Sequence, residues 1–342
     1  MPAGPRNAIT DVPGLSVGNA HDDAVMSGVT VIIGERPLVA AIDGRGGGLG
    51  TRDSDALSPA GTVDEVHAIA LSGGSAFGLS AATGVQTFLA ERGIGFAVRS
   101  ARVPIVPGAI LFDLLNGGEK GWGDHPPYEA LARAACASAG REFVIGSAGA
   151  GFGATTVNLR GGLGTASEVM GDGTIVGALV AVNAVGSVTL GDTRGFWAAP
   201  FEQRGEFGGR PWPAMLPPDA LEPRLKSVAA GESTTLAIVA TSAVLTRRQA
   251  MRLAIMAQTG LARAIYPVHT PLDGDVVFAV ATGATSAPEP LAGLARMGAV
   301  AANVLARAVA RGVYEAADAP AGWAGPPAWR QRFGTRPVKG ST

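Results

Sequence analysis

The sequence predicts an α+β layered fold, and three observations carry that prediction. Short runs of β-branched and apolar residues, closed by Gly, Asp or Pro, recur along the 342 residues. Only three long helical patterns interrupt them. The strand runs come in groups rather than in alternation with helices, which favours layered sheets over a repeating βαβ unit.

In chain order the first strand runs are Val29–Gly34, Leu38–Ile42 and Ala68–Leu71. A helix follows over Ser75–Arg92, opened by a serine able to cap it. The segment EALARAACASAG around Cys136 reads as a small-residue helix. Phe143–Ile145 and Thr174–Val182 continue the strand series. The stretch from Phe201 to Ser233, rich in Pro, Gly and charge, reads as a domain boundary or a mobile loop. It runs straight into a buried strand, Leu236–Thr241, entered through Ser233-Thr234-Thr235. A second helix, Thr246–Ile265, has a threonine cap and an apolar face through Met251, Leu253, Ile255 and Met256. Val276–Val280 is the last strand run, and Pro290–Ala316 is an Ala-rich helix with a periodic apolar face.

Composition narrows the function. With 27 basic and 28 acidic residues the net charge is −1, so no basic field exists to hold a polyphosphate. Aromatic residues are only 6%, too few for base-stacking platforms, and nucleic acid is not an expected partner. The single cysteine, Cys136, excludes an internal disulfide and fits a reducing compartment, where it reads as a packed core thiol. The opening MPAGPRNAITDVPG lacks the apolar run of a signal peptide. The uncharged stretch from Gly173 to Gly191 reads as two buried strands rather than a membrane span. A soluble cytoplasmic protein without membrane partners is expected.

Several motifs fail on context. Gly14-Leu15-Ser16-Val17-Gly18 has the spelling of a nucleophile elbow, but no sheet precedes it. Gly149-Ala150-Gly151-Phe152-Gly153-Ala154 matches a dinucleotide fingerprint, but the next residues, TTVNLRGGLGTAS, do not read as a helix. Gly46-Gly47-Gly48-Leu49-Gly50 lacks the Lys-Ser/Thr of a phosphate loop. The four histidines, His21, His67, His125 and His269, form no metal pattern, so no metal or cofactor is expected. His269 reads as a loop residue, and Glu168 and Asp172 as surface charges. Asp273 and Asp275, two apart before a strand, would share a face, either as paired carboxylates or as a solvated turn.

The segments ITDVPGLSVGNAHD, DGRGGGLGTRDSDAL, LSGGSAFGL, PIVPGAILFDL, GAGFGATT, GGLGTAS, STTLAIVATSA and HTPLDGDVVFAVATG, taken in order, resemble the DmpA-type aminopeptidase family. That family includes β-peptidyl aminopeptidases and nylon-oligomer hydrolases, and the resemblance spans nearly the whole chain. It implies a four-layer αββα sandwich, one catalytic domain over 1–342 made as a single chain that cuts itself once. The products would be 1–233 and 234–342, both contributing to one core. The cut would fall between Ser233 and Thr234, leaving Thr234 as the N-terminal nucleophile. Thr235 is the neighbouring alternative.

The resemblance further implies Asn183 as donor to the tetrahedral oxyanion, Asp273 and Asp275 as the acidic pair of the nylon-oligomer type, and a homo-oligomer. The Lys or Tyr that the family usually carries after its GAGxG segment, near the nucleophile, is absent here, so that either Asn158 or Arg160 substitutes or the function is missing. Asp113, Glu119 and Asp124 are candidates for binding a substrate amine. The implied activity is hydrolysis of short peptides, amino-acid amides or linear ω-amino-acid oligomers through an acyl-enzyme. Acyl transfer of the ornithine acetyltransferase kind and nucleotide binding at Gly149–Ala154 are the alternatives.

Overall fold

The computed structural model describes residues 1–58, 60–226 and 233–334. The chain opens with an antiparallel pair, β1 (Leu15–Asp22) and β2 (Ser27–Gly44). After β3 (Thr51–Arg52) and β4 (Glu65–Ser72) comes α1 (Ala81–Ala90), preceded by a 3-10 turn over Ser75–Ser80. A small hairpin, β5 (Phe96–Val98) and β6 (Ala101–Val103), leads to β7 (Gly108–Ile110) and α2 (Tyr128–Ala137). β8 (Gly162–Val169) and β9 (Ile175–Asn183) form the next antiparallel pair. The chain continues through β10 (Thr234–Ala243), α3 (Arg247–Ala262), β11 (Val276–Thr285), α4 (Ala292–Tyr314) and a short α5 (Trp329–Phe333).

The strands hydrogen-bond in the order β3-β7-β4-β2-β11-β10-β9-β8, with β1 also on β2. The two expected runs Val29–Gly34 and Leu38–Ile42 are thus one strand. Its first half pairs with β1 and its second half with β11. Its register against β4 shifts between Ile33 and Leu38, around Gly34 and Pro37. β2 therefore belongs to both β layers and joins them into one ladder.

Three apolar clusters separate four layers. Along β10, Ala237 and Val239 face α3 and α4, beside Leu253, Ala257, Val304 and Leu305. Leu236, Ile238 and Ala240 face the other way, onto Ile32, Ile69 and Leu71 of the second β layer. That layer turns Val29, Val31 and Ala68 outward onto α1 and α2. The period-2 alternation of strand side chains is what lets each strand feed two clusters at once. The α+β class and the αββα layering expected from the sequence are present. The expected helices are present, except that Ser75–Arg92 opens as a 3-10 turn, with α1 starting only at Ala81 and no serine side chain capping it. α3 is capped reciprocally by Thr246 and Gln249. Such a cap contributes about 1 kcal/mol.

Some expectations are corrected. Phe143–Ile145 forms no strand; only Gly146 bridges to Leu163. Glu168 is not a surface charge but is 5% exposed and paired with Arg307, whereas Asp172 is exposed as expected. Cys136 is buried on α2 as expected, its thiol pushed up to about 12 by burial. The stretch after Phe201 is pinned where it is described: Phe207 packs against Phe196, and Glu206 meets Arg307. Its residues 227–232 lie outside the described residues. Among the described residues no helix is long and apolar enough to cross a membrane.

Candidate active site

The start of β10 is where three chain segments meet. Thr234 stands opposite Asn183, the last residue of β9. Ser233 pairs in parallel with Asp273, in the loop that enters β11. Ser233, Thr234 and Thr235 are all buried, at 1%, 3% and 0% exposure. The Thr234 hydroxyl donates to the carbonyl oxygen of Ser233 at 2.6 Å.

Asp273 and Asp275 bracket this strand start, and both are buried rather than solvated. Asp275 Oδ1 accepts the backbone N–H of Thr235 at 2.8 Å. Its Oδ2 accepts the N–H of His269 at 3.2 Å and lies 2.9 Å from His269 Nδ1. Asp273 Oδ1 accepts the N–H of Val185, just beyond β9, at 3.2 Å. Asp273 Oδ2 is held by the Thr270 N–H at 2.9 Å and the Thr270 hydroxyl at 2.8 Å. Burial, with the Asp275 carboxylate beside it, holds the Asp273 carboxyl above the ordinary carboxylate range. The DGD spacing therefore builds a pair of inward carboxylates, one tied to β9 and one to β10.

Asn183 is fully buried. Its Oδ1 accepts the N–H of Thr155 at 3.0 Å and the Lys226 ammonium at 2.8 Å. Its Nδ2 donates to the carbonyl of Phe112 at 3.0 Å. Two donors on Oδ1 fix which end of the amide is the oxygen, leaving Nδ2 as the donating end. Lys226 is anchored by its own N–H to the Val185 carbonyl at 2.9 Å.

A lysine does meet Asn183, but it is Lys226, outside the segment where the family's Lys or Tyr is expected. Neither expected substitute reaches Asn183. Asn158 donates to Thr189 at 3.1 Å. The Arg160 guanidinium binds the carbonyls of Ala317, Asp318 and Phe152 and stacks on Trp323. Burial lowers it to about 10. The cation at Asn183 comes instead from the far end of the Pro/Gly-rich stretch. Sequence spacing gave no sign of it, because that contact joins residues 43 apart. His269, read as a loop residue, is likewise part of the site through Asp275.

A cavity of about 250 Å³ opens beside Asn183, lined by Phe112, Asp113, Leu115, Asn116, Thr155 and Lys226 among others. Of the three amine-binding candidates only Asp113 lies there; Glu119 and Asp124 are exposed on a loop. Asp113 is already engaged by the Ser27 hydroxyl at 2.7 Å and the Gly74 N–H at 2.8 Å. The discarded motifs stay discarded. Ser16 lies within β1, and Gly149–Gly151 forms a 3-10 turn with no helix after it.

The sequence pattern of Peptidase family S58 matches residues 7–323. An uncharacterised aminopeptidase of Mycobacterium tuberculosis is 42% identical over 348 residues, covering 96% of this chain and 98% of that protein. A 6-aminohexanoate-oligomer endohydrolase of Kocuria sp. is 32% identical over 288 residues, covering 81% of this chain and 76% of that protein. Among solved structures, a Burkholderia sp. beta-aminopeptidase superposes with TM-score 0.70 at 22% identity, over 98% of this chain and 96% of that one. An Ochrobactrum anthropi L-aminopeptidase D-Ala-esterase/amidase, described as a variant of the Ntn hydrolase fold, gives TM-score 0.69 at 20% identity, over 97% and 96%. The chain belongs to peptidase family S58, the DmpA-type aminopeptidases, and is a hydrolase of amide and peptide bonds.

Proposed function

We propose that the chain cuts itself between Ser233 and Thr234 and then hydrolyses amides with Thr234 as an N-terminal nucleophile. The observation that carries this reading is the 2.6 Å contact between the Thr234 hydroxyl and the Ser233 carbonyl, held within a buried strand. The hydroxyl already lies beside the carbonyl group it would attack, and the step needs it to turn from the carbonyl oxygen to the carbon.

After the cut, Thr234 carries a free α-amine on the same residue as its hydroxyl. An α-amine has an unperturbed pKa of about 7.7–8.0, so near neutrality part of it is free base and can take the hydroxyl proton. The carboxylates of Asp273 and Asp275 orient that end of the strand and favour the charged amine, raising its pKa. The hydroxyl oxygen adds to the substrate carbonyl, and the Asn183 amide, held by Lys226 and Thr155, donates to the oxyanion. The leaving amine departs with a proton. Water then hydrolyses the acyl-enzyme and regenerates Thr234. No cofactor takes part in these steps.

The substrates that fit this reading are short peptides, amino-acid amides and linear ω-amino-acid oligomers. The paired carboxylates and the 6-aminohexanoate-oligomer relative support including the last class. The two pieces stay together in a cytoplasmic homo-oligomer. A panel of amino-acid amides, β-peptides and 6-aminohexanoate oligomers, read by mass spectrometry, tests the substrate class. Absence of hydrolysis of every member by the cut protein would contradict it.

A further inference from the structure

We propose that the backbone N–H of Gly274 is the oxyanion donor for self-cleavage, separate from the Asn183 amide that serves turnover. This rests on the self-cleavage reading above. The Gly274 N–H donates to the carbonyl oxygen of Ser233 at 2.8 Å, the same oxygen that the Thr234 hydroxyl approaches. In form it is a ladder hydrogen bond of the Ser233–Asp273 bridge, but its acceptor is the carbonyl to be cut.

The donor is held from every side. Its two neighbours, Asp273 and Asp275, are fixed by their side-chain bonds to Thr270, Val185, Thr235 and His269. Behind them runs the segment Arg45–Gly48. The Gly48 N–H donates to the Asp273 carbonyl at 2.8 Å, and the Arg45 N–H to the Asp275 carbonyl at 2.9 Å. The glycines there are needed for close approach. A Cβ on Gly46 would stand 2.4 Å from both Asp273 O and Asp275 N, and one on Gly47 would stand 2.7 Å from Pro271 O. On Gly274 itself a Cβ would stand 2.5 Å from Gly48 O and 2.6 Å from Thr234 Oγ1. The glycine-rich segment that lacks the Lys-Ser/Thr of a phosphate loop thus has a use: it packs backbone on backbone and aims one N–H at the scissile carbonyl. A fixed donor of this kind stabilises developing charge without reorganising.

In the step itself, Thr234 Oγ forms a bond to the Ser233 carbonyl carbon and the carbonyl π pair moves onto oxygen, facing the Gly274 N–H. Collapse breaks the bond from that carbon to Thr234 N. The hydroxyl proton ends on the new amine, and the product is an ester. Water hydrolyses the ester, giving the Ser233 carboxylate and restoring the Thr234 hydroxyl.

The test compares two rates on the full chain: self-cleavage of freshly purified precursor, and turnover per cut chain of the same sample. Gly274→Ala keeps its N–H, but its Cβ, 2.5 Å from Gly48 O, would displace it, and cleavage should slow toward the loss of about 10²–10³-fold that follows removal of one such donor. Its turnover is no control, because the new Cβ would stand 2.6 Å from Thr234 Oγ1. Gly46→Ala pushes the same step from behind, its Cβ meeting Asp273 O and Asp275 N, and is the selective variant: cleavage should slow, and its cut fraction should lose at least ten times less of its turnover. Asn183→Ala should give the reverse pattern. Cleavage of Gly274→Ala within about threefold of wild type, or equal losses in both rates for Gly46→Ala, would overturn the inference. If neither glycine variant folds, the uncut Thr234→Val chain reports the contact by NMR. A through-bond coupling between Gly274 nitrogen and the Ser233 carbonyl carbon is expected, and its absence overturns the inference. A wild-type chain that never cuts would instead overturn the reading beneath it.

Discussion

Two buried polar clusters join residues before position 233 to residues after it, and they are built on opposite principles. At the start of β10, two carboxylates sit together, Asp273 and Asp275, with the Thr234 hydroxyl between strands. On α4, the fully buried Arg307 binds Glu206 at 2.6 Å and 3.0 Å, Asn7 at 2.8 Å and the Ser167 carbonyl at 3.1 Å. Glu168 lies 3.4 Å from it, and Arg311 adds bonds to the carbonyls of Asn7 and Thr165. Opposite charges in balance hold two parts of a chain together. Like charges crowded together raise a proton affinity and create reactivity. The first cluster is suited to chemistry and the second to holding residues after position 233 to residues before it.

Variants can break this contrast. The largest effect is expected for Thr234→Ala: one uncut chain, and amidase activity reduced by at least about 10⁴-fold, with the fold retained by circular dichroism. Arg307→Ala should do the opposite. It leaves Glu168 without its buried cation and Glu206 with only Arg311, at 3.5 Å, at a cost of about 3 kcal/mol in urea unfolding, while the cut still occurs. An Arg307→Ala chain that fails to cut although folded would merge the two clusters into one function.

Asn183→Ala should lower turnover by about 10²–10³-fold without loss of assembly, judged by gel filtration and steady-state kinetics. Wild-type turnover in a folded, cut Asn183→Ala protein would remove Asn183 from the oxyanion role. Lys226→Met should lower kcat by about tenfold, as the loss of one charge-assisted bond of about 1.5 kcal/mol implies, with Lys226→Arg recovering part of it.

The smallest effect concerns Asp113. Burial holds its carboxyl above the ordinary range despite the Ser27 and Gly74 bonds. The folded chain therefore keeps this proton to higher pH than the unfolded chain. The cost of ionising it is absent below the unfolded value near pH 3.9 and grows as pH rises through the folded value. Asp113→Asn should raise Tm at pH 7 by roughly 2–4 °C, for about 1 kcal/mol, with the gain fading on acidification. An unchanged Tm difference across that range would contradict the assignment.

The strand Leu236–Thr241 was legible as a continuous apolar run, which is how a strand buried on both faces reads, while the four layers came only through the resemblance. The structure turns Leu236, Ile238 and Ala240 one way and Ala237 and Val239 the other. Asp273 and Asp275 were legible as a pair from spacing, and Thr234 and Asn183 only through a resemblance. What the sequence hid was tertiary. β1 carries polar Asn19, His21 and Asp22 toward its end and reads poorly as a strand. Glu168 looked like a surface charge because its partner, Arg307, is 139 residues away. Lys226 sat in a stretch whose composition says loop, yet its ammonium closes the site.

The central claim is the cut before Thr234, and denaturing electrophoresis of the purified wild-type protein with N-terminal sequencing tests it most directly. From a chain of 34.3 kDa the account predicts pieces of roughly 23 and 11 kDa that co-purify, the smaller beginning Thr234-Thr235-Leu236. A single intact chain that still hydrolyses amides, or a small piece beginning at Thr235, would contradict it.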